Sequence, residues 1–595
     1  MIAHASRLYC FVCVKTHPEK GFLMTILIGG AETGLQNTTR NLLGRNDQPS
    51  TATTDNGDQI FVNVANGNLI YSHQDTFLPS RGEDYQFLRT YNSRAGSSDA
   101  SNFTDGRWAA NTGIRLKTIS EGDSGKAYEV RYGDGSVYLF RLDPASGLYV
   151  TTQGDGAYET LKPTVVSGKI TGFVVTRADQ STLTFNTSGD LSKWTDTNDV
   201  SMTFTYSSGR LVKVADDTGH TLTYKYTRSK LSSIVDETGV TLVTYRYTTG
   251  NRLSEVQDRY GHVTKYFYTE DGYLNRIVLP TQSNDATVRE IRFEYTRVNW
   301  SGDSSSSTPV LTKMTDAMGN VTTFSYAFNL TDHDYKGVRT TVRDALGNVT
   351  TYECNASGYI TKVIDAAGFE TSYGYDAKDN LTSVTDRNGW GAANSDSDYY
   401  KNLRESLGFA RNLANLSGAN KAALLAMFTR RLSYDGRGNL LTSTDNSGNV
   451  TVFTYTAFNR ISTITAPEGG VTRFFYDAKQ NLILQVDAGG DTTRFTYDAY
   501  GNLTDKIAYL DRGRSATVNA KTATSTVVTW TLAGHGFTAN QDVVFSGPMP
   551  RCSPRALART TSLSCLATVE LRRLPGLPKR AFRQALPRAS SAAAS

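Results

Sequence analysis

Residues 430–511 decide the fold, because they repeat one phrase four times: RRLSYDGRGNLLTSTDNSGN, VTVFTYTAFNRISTITAPEGG, VTRFFYDAKQNLILQVDAGGD and TTRFTYDAYGNLTDKIAYLD. Tyr434, Tyr455, Tyr476 and Tyr497 each lie 21 residues apart. A fixed period of about 20 to 50 residues is typical of one supersecondary unit stacked many times. The sequence therefore predicts a repeat protein whose first role is architectural.

The same unit extends towards the N-terminus with slightly variable spacing. Its tyrosines are Tyr206, Tyr226, Tyr247 and Tyr268, followed by looser copies at Tyr295, Tyr326, Tyr352 and Tyr375. Each unit reads as strand, turn, strand, turn: in the third phrase, residues 471–476 and 482–486 are rich in β-branched and aromatic residues, and turn formers follow each run. The predicted element is an antiparallel hairpin of about 21 residues.

Most units carry a second aromatic residue two positions before the tyrosine. The pairs are Phe204/Tyr206, Tyr224/Tyr226, Tyr245/Tyr247, Tyr266/Tyr268, Phe293/Tyr295, Phe324/Tyr326, Tyr373/Tyr375, Phe453/Tyr455, Phe474/Tyr476 and Phe495/Tyr497. Residues i and i+2 share one face of a strand, so we expect an aromatic ladder on one face and a solvated opposite face. Twelve such hairpins give about 24 strands, more than an open sheet holds without curling.

The unit Y-D-x-x-G-N-L followed by D-x-x-G-N-x-T-x-F/Y-x-Y resembles the YD repeat of the RHS family and of teneurin-like shells, most plainly at residues 497–503. The resemblance covers about residues 189–511. It implies an all-β fold of repeated hairpins that coil into an open or partial β-shell. In bacterial polymorphic toxins of this family the shell encloses a C-terminal toxin, and animal relatives act in cell adhesion.

A different motif precedes the repeats: V-N-x-A-x-G-N-L at residues 62–69, R-x-Y-N-S at 89–93 and G-x-W at 106–108. It resembles the N-terminal domain of many RHS proteins, although the expected W-x-x-x-Y is not clear. The expected organisation is a disordered or misassigned segment (1–55), an RHS N-terminal-like β domain (56–188), the YD-repeat shell (189–511), a small β-module (523–547) and a basic, disordered or frameshifted tail (548–595).

A helical insertion interrupts the repeats at about residues 394–430. Helical spacing predicts helices over 399–416 and 419–430, with Asp398 and Asn420 as N-caps. Asn394, Asp396, Asp398 and Glu405 have the spacing of a calcium loop, but Tyr399 stands where such a loop needs glycine. Helix capping explains Asp398 without a metal. Asp332-His333-Asp334 fits an exposed polar turn better than a metal or catalytic site.

Charge and composition limit the partners. Residues 548–595 hold nine basic residues and one acidic residue, so the preceding 547 residues carry a net charge of −3. That balance argues against nucleic-acid binding. The five cysteines form no disulfide framework, and the apolar stretch at 22–31 is too short to span a bilayer. No clear signal peptide is present, so a secreted or cell-surface location follows only from the family.

No nucleophile, phosphate-binding or zinc-protease motif is present, so we expect a non-enzymatic protein without a cofactor. The resemblance implies a structural shell for toxin delivery or surface interaction, with a toxin or other cargo and a secretion apparatus as partners. The core-closing and toxin segments of the family have no counterpart, so we expect a truncated member. The alternatives are an adhesion or carbohydrate-binding surface protein whose aromatic ladder stacks on a glycan, and a hydrolase within residues 110–185 or the insertion.

Overall fold

The computed structural model describes residues 26–30, 34–35, 58–78, 85–95, 107–120, 126–151, 159–281, 287–299, 307–331 and 334–509, and five short strands within residues 515–573. The chain divides into two compact units: residues 1–451 with 457–459, and residues 452–456 with 460–595. The described elements are 42 β-strands, three α-helices and one 3₁₀ turn.

The first unit begins with a five-stranded sheet of strands β1 to β5 in that spatial order: Ile26–Ile28, Asp58–Asn63, Leu69–Leu78, Tyr85–Asn92 and Trp108–Ala110. β1 pairs in parallel with β2, and the other neighbours are antiparallel. β1 lies within the segment predicted to be disordered or misassigned. The structure differs there because Ile26 and Ile28 are buried and pack with Phe61 and Ile70.

The next 26 strands of this unit, β6 to β31, form a second sheet in which successive strands pair antiparallel. The strands before the repeats are β6 (Arg115–Ser120), β7 (Lys126–Arg131), β8 (Val137–Asp143), β9 (Leu148–Val150), β10 (Thr160–Val166), β11 (Lys169–Thr176), β12 (Thr182–Phe185) and β13 (Leu191–Thr195). The outer edge of β6 meets the turn before β13, since the Leu116 amide donates to the Gly189 carbonyl at 2.9 Å.

The repeat strands of the first unit follow in order. They are β14 (Ser201–Ser207), β15 (Arg210–Asp216), β16 (Thr221–Thr227), β17 (Lys230–Asp236), β18 (Thr241–Tyr247), β19 (Leu253–Asp258), β20 (Val263–Tyr268), β21 (Leu274–Val278), β22 (Glu290–Asn299), β23 (Ser307–Thr315), β24 (Val321–Thr331), β25 (Asp334–Arg343), β26 (Val349–Cys354), β27 (Ile360–Ile364), β28 (Glu370–Tyr375), β29 (Leu381–Thr385), β30 (Thr429–Tyr434) and β31 (Leu440–Thr444).

The second unit repeats the same hairpin three times and adds two small sheets. Its hairpin strands are β32 (Val450–Tyr455), β33 (Ile461–Thr465), β34 (Val471–Tyr476), β35 (Leu482–Val486), β36 (Thr492–Tyr497) and β37 (Leu503–Tyr509). The short strands are β38 (Ser515–Val518), β39 (Ala520–Thr524), β40 (Val527–Thr531), β41 (Val543–Ser546) and β42 (Val569–Arg573). β42 lies in the predicted disordered tail and pairs with β38 and β41; the rest of 548–595 lies outside the described residues. The all-β hairpin fold is confirmed.

The aromatic pairs share one face, as the two-residue period of a strand predicts. In β14, Phe204 is buried and Tyr206 is half-buried, whereas Thr203 and Thr205 are exposed. A β-bulge just before the tyrosine recurs: Thr205 pairs with Lys213, but Tyr206 pairs with Leu211. The same bulge precedes ten repeat tyrosines, at Tyr206, Tyr226, Tyr247, Tyr268, Tyr295, Tyr375, Tyr434, Tyr455, Tyr476 and Tyr497.

One repeat departs from the sequence-based alignment. In β26 the bulge falls between Glu353 and Cys354, and Cys354 pairs with Ile360 as the repeat tyrosines pair with leucine. Tyr352 therefore occupies the position of the first aromatic residue, not that of the repeat tyrosine. Its placement among the repeat tyrosines was wrong by two residues.

The bulge places a leucine or isoleucine carbonyl where the tyrosine of the next hairpin reaches it. The Tyr226 hydroxyl donates to the Leu211 carbonyl at 2.7 Å, one hairpin back. Nine such bonds of 2.6–2.9 Å join consecutive hairpins: Tyr226–Leu211, Tyr247–Leu231, Tyr268–Leu253, Tyr295–Leu274, Tyr326–Leu311, Tyr375–Ile360, Tyr434–Leu381, Tyr476–Ile461 and Tyr497–Leu482. We call this bond the tyrosine hook. It gives each of these nine tyrosine hydroxyls the partner that burial demands.

The D-x-x-G-N turns are closed by their own aspartate. Asp445 Oδ1 accepts the amides of Ser447 and Asn449 at 2.8 and 2.9 Å, and Oδ2 accepts the Asn449 side-chain amide at 2.9 Å. Gly448 has φ +85°, a left-handed conformation that glycine adopts without a steric penalty. Both carboxylate oxygens of Asp445 accept hydrogen bonds from its own turn. The hydrogen bond from the Asn449 side chain lowers the pKa of Asp445 below its usual 3.8.

The helical insertion lies between β29 and β30 but begins earlier than predicted. Its helices are α1 (Arg387–Asn394), α2 (Asp398–Ser406) and α3 (Gly418–Met427), with a 3₁₀ turn at Leu413–Asn415. Asp386 caps α1, because its side chain accepts the amides of Asn388 and Gly389. Ser397 and Ser417, one and three residues before the predicted caps Asp398 and Asn420, are the N-cap residues of α2 and α3.

We expect Tyr226→Phe to lower the free energy of unfolding by about 1–3 kcal/mol, because it leaves the Leu211 carbonyl without the hook donor. Denaturant titration of the full chain measures the change. Tyr260→Phe is the matched control, since Tyr260 is 76% exposed and should lose almost nothing. Equal effects of the two substitutions would contradict the hook.

Acid should weaken the turns. Hydrogen bonding lowers the pKa of seven turn aspartates among the described residues: Asp143, Asp216, Asp236, Asp258, Asp376, Asp445 and Asp498. A carboxyl whose pKa is lower folded than unfolded stabilises the fold above its unfolded value, about 3.9, and that contribution is lost as the pH falls further. We expect the Tm to be level from pH 7 to about 5 and to fall steeply below about 4. A Tm that stays level to pH 3 would contradict this account.

Candidate functional site

The N-terminal sheet lies against the buried face of the repeat strands, and aromatic rings form the contact. Phe87 meets Tyr224 at 5.7 Å between ring centroids, and Trp108 meets Tyr266 at 5.1 Å. In both pairs the repeat contributes the aromatic residue that stands two positions before the repeat tyrosine. The first aromatic of the motif therefore faces the N-terminal sheet, while the second makes the hook.

The tryptophan of the G-x-W motif connects these two roles. The Trp108 indole N–H donates to the Tyr268 hydroxyl at 2.8 Å, and that hydroxyl donates to the Leu253 carbonyl at 2.6 Å. Trp108 is fully buried. The N-terminal sheet is thus hydrogen-bonded to a tyrosine hook and not merely packed on it.

A buried ion pair lies at the centre of this contact. Arg89 Nε and Nη2 each donate to Asp75 at 2.9 Å, and neither side chain is exposed to solvent. Two repeat residues complete the network: the Tyr245 hydroxyl donates to Asp75 at 2.7 Å, and Arg89 Nη2 donates to the Tyr266 hydroxyl at 3.0 Å. The Arg89 guanidinium also lies 4.8 Å from the centre of the Trp108 ring.

The electrostatics favour the charged pair in this dry site. Burial disfavours the positive charge, but the Asp75 carboxylate and the neighbouring tyrosines together outweigh that effect and raise the pKa of Arg89. Burial raises the pKa of Tyr245, with the Asp75 charge adding to the effect, so its hydroxyl remains a donor. A buried pair contributes little net stability, but removing one partner leaves an uncompensated charge. The network therefore fixes how the N-terminal sheet sits on the repeats.

The sequence contains a signal for Arg89 but none for its partner Asp75. Phe87, Arg89 and Tyr91 stand two residues apart in β4, so the strand period puts the arginine on the same buried face as the two aromatics. Asp75 had no such signal, because a bulge in β3 falls at that residue and alters the alternation of faces.

The V-N-x-A-x-G-N-L motif forms a tight turn that touches the repeats directly. Gly67 has φ +69°, and a Cβ there would lie 2.4 Å from the Val310 side chain, so no larger residue fits. The Leu311 amide donates to the Gly67 carbonyl at 3.0 Å, and the Thr340 hydroxyl donates to the Val64 carbonyl. The turn is a second, polar attachment of the N-terminal sheet to β23 and β25.

The R-x-Y-N-S motif supplies three further bonds. The Tyr91 hydroxyl accepts the Leu274 amide at 2.9 Å, the Asn92 amide donates to the Asp134 carbonyl at 2.9 Å, and the Ser93 hydroxyl donates to Asn68 Oδ1 at 2.8 Å. Tyr91 and Asn92 therefore join the N-terminal sheet to other parts of the unit, and Ser93 joins this motif to the turn that holds Asn68.

A separate buried cluster lies within residues 110–185, the segment in which a hydrolase is the alternative prediction. The Tyr132 hydroxyl donates to Glu159 Oε2 at 3.1 Å, and Arg177 lies 3.8 Å from Glu159 Oε1. Burial raises the pKa of Glu159 above the usual value, and it also raises that of Tyr132. Both Glu159 oxygens face protein partners, and the cluster links the residue after β7 to the residue after β11.

Asp396, one of the four residues proposed for calcium, binds an arginine. Arg404 is fully buried in the insertion, and its guanidinium donates to Asp396 Oδ1 at 3.0 Å and to three carbonyls. The carbonyls belong to Ala392, Ser395 and Arg411. This oxygen-lined position is filled by a side-chain cation.

The other calcium candidates point elsewhere. Glu405 pairs with Arg411 at 2.7 Å, Asp398 is 87% exposed beside Lys401, and the Asn394 side chain donates to the Trp390 carbonyl. Among the described residues no three His, Cys, Asp or Glu side chains converge as metal ligands. The calcium site stays a prediction without support from this geometry. Asp332 and His333 lie outside the described residues.

Comparisons with known proteins agree with these motifs. A model of the RHS repeat matches residues 333–370, 360–389, 434–471 and 476–512. The chain therefore contains RHS repeats. A second model, a domain of unknown function (DUF6531), matches residues 60–140, which include most of the N-terminal sheet and its motifs. No curated protein matches the chain.

Solved structures similar to this RHS-repeat protein include toxin complexes. TcdB2-TccC3 without its hypervariable C-terminal region is 12% identical with a TM-score of 0.34, over 77% of this chain and 24% of that chain. The Tc holotoxin pore of Photorhabdus luminescens is 12% identical with a TM-score of 0.21, over 74% and 27%. The chain spans about a quarter of the length of these structures. In the part that the structure describes, no helix of the RHS-repeat protein is long and apolar enough to cross a membrane.

We expect Arg89→Met to destabilise the RHS-repeat protein by about 3–5 kcal/mol, because it leaves the Asp75 carboxylate buried without its counter-charge. Denaturant unfolding measures the loss. Arg297→Met is the matched control: its ion pair with Asp271 is about half exposed and should be worth at most about 1 kcal/mol. Adding Asp75→Leu to Arg89→Met should recover most of the loss. If Arg89→Met were as stable as Arg297→Met, the Arg89–Asp75 pair would not be what holds the N-terminal sheet on the repeats.

Proposed function

We propose that this chain is a non-enzymatic structural wall of a secreted or surface-displayed bacterial RHS-repeat protein that delivers a toxin or mediates surface interaction. One observation carries the proposal: the side chains that define the repeat are used to hold the wall together. The repeat tyrosine donates its hydroxyl to the preceding hairpin, and the turn aspartate binds its own loop. Signature residues committed in this way serve architecture rather than chemistry.

The N-terminal sheet supports the same reading. It covers the buried face of the repeat strands through Trp108, through the Arg89–Asp75 pair and through the Gly67 turn. A wall with one solvated face needs such a cover, because its other face is lined by aromatic rings. We place a toxin or other cargo and its secretion apparatus among the partners, as the family resemblance implies.

The glycan-binding alternative requires aromatic rings that a sugar can reach. In the first unit, the first ring of each pair is buried: Phe204, Tyr224, Tyr245, Tyr266, Phe293, Phe324 and Tyr373 are each less than 10% exposed. Because these rings are buried, they favour the structural role over a role in which the aromatic ladder binds glycans. Adhesion through another surface remains the second candidate, and it is included in the test.

The test combines limited proteolysis of the full chain with a glycan array. We expect proteinase K to leave a resistant fragment that contains the N-terminal sheet and repeat hairpins, because the tyrosine hooks and Trp108 hold them together. The Arg89→Met variant should lose this resistance, and Arg297→Met should keep it. The array should show no binding. A protease-labile chain that binds a glycan saturably would contradict the wall and favour an adhesin.

A further inference from the structure

The connections between successive repeat strands emerge alternately at two rims of the sheet, and one rim carries hydrophobic side chains at its tips. Five large hydrophobic side chains of the described residues are 62–87% exposed, and no other exceeds 58%. All five lie in connections at the same rim, which we call the apolar rim: Tyr260 between β19 and β20, Val288 between β21 and β22, Met318 between β23 and β24, Leu346 between β25 and β26, and Tyr399 in the insertion between β29 and β30.

The opposite rim of the same repeats has a different chemistry. Its turns place polar side chains in the solvent, at Ser208, Ser229, Asp271, Ser357 and Lys378. Single exposed hydrophobic side chains scattered over a surface need no explanation, whereas exposed hydrophobic side chains gathered in one place mark a binding surface. The concentration of all five on one rim therefore points to a partner on that side.

Four of the five stand on consecutive connections and form a straight series. Neighbouring connections of one rim are two strands apart, about 10 Å, so the row from Tyr260 to Leu346 is about 30 Å long. At this spacing the side chains do not contact one another, since apolar contact requires about 4.5 Å or less. Each projects singly from its turn. A fluid apolar layer accepts such a row without a matching pocket for each side chain.

The turns of the apolar rim can enter such a layer without leaving backbone amides unpaired. The Met318 and Asn320 amides donate to Asp316 Oδ1 at 2.9 and 2.8 Å, and the Gly319 amide donates to the Asp316 carbonyl at 3.0 Å. The same three bonds occur in the turns of β19–β20 and β25–β26. Unpaired backbone groups are the main cost of bringing irregular backbone into lipid, and these turns supply their own acceptors.

Arginines beside the tips favour phospholipid over other apolar partners. Arg259 is exposed next to Tyr260, and its guanidinium lies 5.5 Å from the centre of that ring. Arg289 is half-buried beside the second tip, and the exposed Arg343 donates to a carbonyl of the Leu346 turn at 3.0 Å. Guanidinium groups bind phosphate oxygens in a bidentate manner, and basic residues near an anionic bilayer are attracted to it.

We propose that the apolar rim binds the surface of a bilayer that contains anionic phospholipid. The four turn side chains enter the boundary between headgroups and acyl chains, and the three arginines contact headgroup phosphates. Aromatic and aliphatic side chains flanked by basic residues are typical of proteins that lie on a membrane without spanning it. Membrane binding of this kind is a further activity, beyond the wall function.

Co-sedimentation of the full chain with sucrose-loaded vesicles is the test. With equal parts of phosphatidylcholine and phosphatidylserine, we expect saturable binding that weakens when salt is raised or phosphatidylserine is omitted. Met318→Asn combined with Leu346→Asn should lower the partition coefficient about tenfold or more, because apolar area no longer leaves water. Phe458→Asn is the matched control and should leave binding unchanged, since Phe458 is 48% exposed in the β32–β33 turn, which is not part of the apolar rim.

Circular dichroism of each variant checks that the wild-type fold is kept. Absence of wild-type binding, or equal binding of the double variant and the Phe458→Asn control, would overturn the proposal. A dimer of the free chain in light scattering that the double variant abolishes, without any vesicle binding, would also overturn it, because the rim would then bind a second copy.

Discussion

The hydrogen bond between a repeat tyrosine and the leucine carbonyl of the preceding hairpin is the interaction on which the rest of the repeat region depends. Stacked hairpins bury a row of phenol rings, and each ring brings a hydroxyl that needs a partner away from water. The bulge before each tyrosine provides that partner by offsetting the register so that a carbonyl lies within 2.6–2.9 Å. The first aromatic of each pair makes no hook and is phenylalanine in several repeats, whereas Tyr245 and Tyr266 use their hydroxyls in the Arg89–Asp75 network.

The faces of the strands could be predicted, but the hooks could not. Because successive side chains of a strand point to opposite faces, Phe204 and Tyr206 lie on the same face and Thr205 faces solvent. The acceptor carbonyl is set by a backbone irregularity, which has no side-chain signature in the sequence. Cys354 illustrates the limit: it takes the bulge position of a repeat tyrosine, so the aromatic pattern alone aligned this repeat on Tyr352 instead. Burial raises the pKa of the Cys354 thiol to about 12, which makes it an inert packing group.

The two buried arginines show why local patterns mislead about polar sites. Asp396 and the carbonyls around it have the oxygen donors that calcium prefers, yet the guanidinium of Arg404 already binds them. Spacing along the chain identifies the oxygens but not which cation they receive. Arg89 is the reverse case, in which strand alternation indicates burial but the counter-ion Asp75 comes from a neighbouring strand with a bulge. Both arginines hold elements together through contacts that depend on the folded backbone.

The hooks have a direction, because all nine donors reach back to the hairpin directly before them. During synthesis the acceptor carbonyl therefore always leaves the ribosome before its donor. The sheet that covers the buried face, with Trp108 and Arg89, is made earlier still. Repeat proteins gain stability from contacts between neighbours, and chains begin to fold from the N-terminus as they are made. Each new hairpin can therefore dock on hairpins that were synthesised before it, and the repeat region can fold from its N-terminal end towards its C-terminal end.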